Sequence, residues 1–108
     1  MMIKTKTIIA NLIIGTGMTV SVTATAADAA AGEQAYLTKG CIGCHGPAGK
    51  SPNEATFPTL AGKEAAYLSE QLNAFRSGER QNPMMSSMSM TLTDEDVANL
   101  AAYLSAAE

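Results

Sequence analysis

The segment Cys41-Ile42-Gly43-Cys44-His45 contains every Cys and His of the protein. Residues i, i+3 and i+4 of a helix share a face. This spacing therefore aims two thiols and one imidazole at a single object. The inventory excludes a disulfide-dense scaffold and the usual four-ligand zinc sites built from Cys and His, because a fourth ligand is missing. A redox-active disulfide of this spacing calls for a βαβ pattern, and no alternation of apolar and polar residues marks a strand in this chain. A plain structural disulfide leaves the adjacent His unexplained. The reading left is c-type haem attachment: the thiols of Cys41 and Cys44 add to the two vinyl groups as thioethers, and His45 takes one axial face of the iron.

Composition agrees with a small folded domain that has something to bury. The chain has 108 residues, 46% hydrophobic and 16% charged, which excludes long disorder. A formal charge of −3 excludes a phosphate-backbone binder. The N-terminus carries Lys4 and Lys6, an apolar run from Ile8 to Val22, and then Ala24-Thr25-Ala26. That order reads as a secretory leader, residues 1–26, cleaved after Ala26. The apolar run is short for a membrane span and is broken by Asn11, Thr16, Thr19 and Ser21. No Cys stands at the cut for lipid attachment, so no stable membrane anchor is expected after cleavage. The mature domain is then 27–108, more acidic than the whole chain because both leader lysines are lost. A domain of this size has a thin core and needs a staple. One disulfide at most is available from protein alone.

Three helices are expected. The first runs from Asp28, a capping residue, to about Lys39, with Gly40 in the C-terminal stop position. The second runs from Lys63 to about Ser77, where Leu68, Leu72 and Phe75 share a face and Gly78 ends it. The third runs from Asp94 to about Ala106. Thr93 and Asp96 form a variant capping box there, Leu92 and Val97 a hydrophobic staple, and three acids sit in the first turn. Val97, Leu100, Ala101 and Leu104 are its apolar stripe. The stretches Gly46–Gly62 and Gly78–Thr91 read as long loops, which in a compact domain serve a function. The fold class is all-α.

A haem held by one His needs a second ligand or keeps an open site. Met84, Met85, Met88 and Met90 crowd the second loop, while the other three Met lie in the leader. A Met-rich loop also serves as gap-filler or pliable docking surface. One soft thioether on the iron would favour the ferrous state. Pro83 restricts the backbone before the first pair.

The ordered motifs CIGCHG (41–46), FPTLAG (57–62), YLSEQLNAFRSGER (67–80) and LTDEDVANLAAYL (92–104), with the Met loop between the last two, resemble the small bacterial class I cytochromes c over the whole mature chain. The resemblance implies the class I cytochrome c fold, three main helices plus loops wrapped around one covalently bound haem. It implies Met85 as the second axial ligand, eight residues before Thr93, with Met88 one turn on as the alternative. It implies that the Pro58 carbonyl accepts from the proximal His45, that Leu60 packs on the haem, and that Gly32 and Tyr36 cross Leu100 and Tyr103 on the last helix. Arg76 and Arg80 are candidates for pairing with the haem propionates.

The function implied is a periplasmic monohaem electron carrier and not an enzyme. Its iron, with both axial sites filled, exchanges single electrons with redox proteins such as a quinol-oxidising complex, a dehydrogenase or an oxidase. A monomer is the default. Ile42, Gly43, Met84 and Met88 are candidate docking residues, and the net negative charge suggests partners with a neutral or basic face. Two other readings stay open: a haem-based ligand sensor or weak peroxidase with a displaceable Met, and a copper-binding protein using the Met cluster 84–90.

Overall fold

A computed structural model describes residues 27–108; the expected leader, residues 1–26, lies outside the described residues. The element order is α1 (Ala29–Thr38), α2 (Cys41–His45), a single 3-10 turn (Pro47–Gly49), α3 (Ala65–Ser77), α4 (Pro83–Ser89) and α5 (Asp94–Ala106). The described residues contain helices, turns and loops and no strand.

The helix ends follow from local chemistry. The Asp28 carboxylate accepts from the backbone N–H groups of Ala30 and Ala31 at 2.9 and 3.2 Å, filling two of the donors that a helix start leaves free. Gly40, at φ 81°, takes the left-handed turn that separates α1 from α2. At α5 both halves of the capping box are made: Asp96 N–H donates to Thr93 Oγ1, and Thr93 N–H donates to the Asp96 carboxylate, each at 3.0 Å. Leu92 and Val97 are both buried beneath it. Thr93→Ala removes one of these bonds and is expected to cost about 1 kcal/mol, read as a shift in the urea midpoint with an unchanged slope.

Two boundaries differ from expectation. Helix α3 starts at Ala65, two residues after Lys63, with no side-chain cap at Glu64. The loop expected over Gly78–Thr91 contains α4. The Asn82 side chain accepts from Met84 and Met85 N–H, each at 3.0 Å, and Pro83 fills the first helical position, where a missing N–H costs nothing. The signal was the Asn-Pro pair. It was masked because Met84–Ser89 carries no apolar stripe of helical period.

The core is built where α1 crosses α5 and α3 packs beside them. Tyr36, Leu68, Leu100, Ala101 and Leu104 are buried, with Leu60 and Tyr103 packed on their edge. Gly32 sits at the crossing. A Cβ built there would lie 2.0 Å from Asn99 O and 2.8 Å from Tyr103 Cβ, so only glycine admits this approach. The rings of Tyr36 and Tyr103 lie 5.6 Å apart, tilted by 51°. Asn99, buried at 7% exposure, accepts from Asp28 N–H at 2.8 Å and locks the start of α1 to α5. The buried apolar side chains come from α1, α3, α5 and Leu92, and none comes from residues 41–64.

Candidate haem site

The short helix α2 places Cys41, Cys44 and His45 on one face through their i, i+3, i+4 spacing. The thiols are half-buried, and His45 is 6% exposed. Burial pushes the Cys41 thiol up, so in the haem-free chain it stays a protonated thiol at neutral pH. Immediately after His45 the chain reverses at Gly46 (φ 81°), where a Cβ would meet Lys50 O at 2.0 Å.

His45 is fixed by a series of hydrogen bonds that begins on another helix. The Tyr36 hydroxyl donates to Gly46 O and accepts from Gly49 N–H at 3.1 Å. Gly49 O accepts from Leu60 and Ala61 N–H at 2.8 and 3.2 Å. This sets the Pro58–Leu60 strip beside the imidazole, and Pro58 O lies 2.9 Å from His45 Nδ1. A carbonyl can only accept, so Nδ1 carries the proton and Nε2 keeps its lone pair for a metal. Phe57 stands edge-on to the imidazole, centroids 6.1 Å apart at 73°. Sequence reasoning passed over Phe57 although it directly precedes Pro58. It also passed over Asn99, because a polar residue beside an apolar stripe reads as exposed.

Tyr36 has no exposed surface. Burial, partly offset by the bond from Gly49 N–H, pushes its hydroxyl from about 10 up to about 12. The protonated hydroxyl is therefore the native form. Stability linked to it is complete below pH ~10 and is lost as pH rises through ~12. Tyr36→Phe strands Gly46 O and Gly49 N–H and is expected to cost about 2 kcal/mol at neutral pH. Urea unfolding at a series of alkaline pH values should also show a shallower fall in stability between pH ~10 and ~12 for the variant.

The four clustered methionines differ in exposure. Met85 is half-buried, whereas Met84, Met88 and Met90 are 54%, 39% and 76% exposed. The Asn82 cap fixes the backbone of Met85 in the first turn of α4. The side chains of the two arginines are engaged within the protein. Arg76 pairs with Asp94 at 2.7 Å. Arg80 lies over the Phe75 ring at 4.6 Å and bonds Gln71 at 2.6 Å. Gly32, Tyr36, Leu100 and Tyr103 lie together at the α1–α5 crossing and support α2 through the Tyr36 hydroxyl.

These features fit a covalently held haem. Two thiols share a face with an imidazole whose Nε2 makes no hydrogen bond among the described residues, and the surrounding segment brings no buried apolar side chain of its own. The comparisons agree. A cytochrome c family model matches residues 29–108. Cytochrome c-554(548) of Halomonas halodenitrificans is 41% identical over 86 residues, covering 77% of this chain and 100% of that protein. The thiosulfate dehydrogenase electron acceptor of Stutzerimonas stutzeri is 44% identical over 66 residues, 58% of this chain but 30% of that one. Among solved structures, reduced recombinant cytochrome c4 from Pseudomonas stutzeri superposes with a TM-score of 0.67 at 34% identity, covering 74% of this chain and 48% of that one. The chain thus spans the full length of the first relative and about half or less of the other two. With its Cys41-x-x-Cys44-His45 turn inside the matched region, the chain belongs to the cytochrome c family, carries one haem c on Cys41 and Cys44, and shuttles single electrons through the haem iron.

Proposed function

We propose that residues 27–108 form a periplasmic electron carrier in which His45 and Met85 are the two axial ligands. The observation that carries this reading is the state of His45, which is buried, tethered through Nδ1 to Pro58 O and free at Nε2, on the same turn as the two thiols. Burial supports Met85 as the second ligand, since it is the least exposed of the four candidates.

When bound, the haem supplies a one-electron ferric/ferrous couple. The chain does the rest. Cys41 and Cys44 prevent dissociation, which matters in a compartment where a lost cofactor is hard to replace. The Pro58 carbonyl orients the imidazole and makes it a better donor. A Met85 thioether leaves no position for a substrate and biases the couple toward the ferrous form. With His45 and Met85 holding the iron, no position would remain for a substrate, which fits outer-sphere transfer by a carrier and not an enzyme. Among the described residues no helix is long and apolar enough to cross a membrane.

The partners are redox proteins, and a dehydrogenase or quinol-oxidising complex on one side and an oxidase on the other fit a carrier of this kind. Contacts between such proteins are small and short-lived, and a monomer suffices for them. Nucleic acid is not a partner.

The test is a reduced-minus-oxidised visible spectrum of the protein recovered from the periplasm, with a carbon monoxide titration and N-terminal sequencing. The expected result is a haem c spectrum, a far-red sulfur charge-transfer band in the ferric form, no rapid carbon monoxide binding at neutral pH, and Ala27 as the first residue. Rapid carbon monoxide binding would favour a ligand sensor or weak peroxidase. Copper without haem would favour a copper-binding protein.

A further inference from the structure

The turn that follows His45 holds its backbone in an unfavourable shape. Within Gly46–Gly49, three residues have positive φ: Gly46 at 81°, Ala48 at 53° and Gly49 at 79°. Glycine takes this region freely, but a Cβ makes it costly. Ala48 is the one described residue other than glycine with positive φ. Such a residue stays in place only where its surroundings over-determine it.

Tyr36 supplies that constraint. Its ring has no exposed surface and packs against Tyr103 of α5. Its hydroxyl holds both ends of the turn, donating to Gly46 O and accepting from Gly49 N–H at 3.1 Å. Among the described residues no other side chain hydrogen-bonds residues 46–49. What lies beyond the turn depends on it. Gly49 O accepts from Leu60 and Ala61 N–H, and Ser51 N–H donates to Thr59 Oγ1 at 3.1 Å. Pro58 has no N–H of its own, so these bonds just after it help set where its carbonyl stands. That carbonyl lies 2.9 Å from His45 Nδ1.

We propose that Tyr36 is a positioning residue for electron transfer: by clamping the Gly46–Gly49 turn to α1, its hydroxyl sets the Nδ1–H bond from His45 to Pro58 O and, through it, the ferric–ferrous balance. This rests on the electron-carrying reading above, with His45 on the iron. The sign follows from the donor. A strong Nδ1–H bond makes Nε2 a better ligand, and a better donor favours the higher charge of ferric iron. Releasing the clamp weakens that bond and raises the midpoint potential. Packing alone has no such effect, since phenylalanine fills nearly the same space and lacks only the hydroxyl.

The experiment is a redox titration of Tyr36→Phe holoprotein, with urea unfolding of the same sample and nuclear magnetic resonance of the His45 Nδ1 proton in the ferrous state. The expected potential is higher than the parent's by a threefold shift in the ferric–ferrous balance, about 28 mV at about 59 mV per tenfold. The Nδ1 proton exchanges faster with water. Ala48→Gly alone relieves the backbone, raises the urea midpoint and leaves the potential unchanged, because the clamp is intact. In the double variant the urea midpoint recovers toward the parent while the potential stays raised, because glycine removes the strain but supplies no bond to α1. The double variant also serves if Tyr36→Phe alone does not accumulate. Thr93→Ala, which weakens the α5 cap, lowers the urea midpoint and leaves the potential where it was. A shift below 1.5-fold in the Tyr36 variants, about 10 mV, a fall in potential, or an equal rise in Thr93→Ala overturns the inference and leaves Tyr36 a packing residue. A parent without a haem c spectrum overturns the electron-carrying reading itself.

Discussion

Met85→Ala is expected to abolish the far-red charge-transfer band of the ferric protein, open the iron to carbon monoxide and lower the midpoint potential. A thioether is a soft donor that binds ferrous iron more tightly than ferric iron. In a one-electron couple, each tenfold of that preference is worth about 59 mV. A 100-fold preference therefore corresponds to a fall of about 120 mV when the thioether is removed. Covalent attachment is untouched, because Cys41 and Cys44 lie on a different helix, so the variant stays coloured. Met88→Ala is the matched control. Its side chain is more exposed and leans on Gly40, so it should keep the band and the potential within a few tens of mV of the parent. If the two results are exchanged, Met88 is the ligand and Met85 a packing residue. Redox titration and a carbon monoxide difference spectrum on both variants decide the matter.

Gly32→Ala is the largest stability change expected outside the haem site. The added methyl would sit 2.0 Å from Asn99 O, 2.5 Å from Asn99 C and 2.8 Å from Tyr103 Cβ. Two of these three atoms are backbone, so no side-chain rotation relieves the overlap. The helices must separate, and three consequences follow at once. The Asp28–Asn99 bond stretches, the Tyr36–Tyr103 pair loosens, and the Tyr36 hydroxyl moves relative to Gly46 and Gly49. Overpacking alone costs about 1–3 kcal/mol, and loss of the linked hydrogen bonds adds about 1 kcal/mol each. A small domain has little reserve, so the variant should unfold at a much lower urea concentration or fail to accumulate as holoprotein. Better helix propensity of alanine, about 1 kcal/mol, is too small to compensate. An unchanged urea midpoint would mean that the two helices approach less closely than described.

The two substitutions probe parts of the protein that differ in how legible they were in sequence. Helices α1 and α5 were readable almost to the residue, because Asp28, Gly40, Thr93 and Asp96 act within one turn of their own position. The attachment turn was readable for the same reason: helical spacing alone aims Cys41, Cys44 and His45 together. Helix α4 was not, because its evidence was a cap and a proline with no apolar period behind them. The protein partners of Arg76 and Arg80 were not legible either, because Asp94 lies 18 residues from Arg76 and Gln71 lies 9 from Arg80.

Amino-acid order by itself determined the cofactor, its covalent anchor and the caps of α1 and α5, each set by residues within a few positions of one another, and it pointed to the family through ordered motifs spread over residues 41–104. Folding in three dimensions decided the rest. It left Met85 less exposed than Met84, Met88 and Met90. It routed the support of His45 through Tyr36 and Gly49. These outcomes depend on burial and on contacts between distant segments. Neither quantity is a property of any short stretch of chain, which is why only the packed protein could supply them.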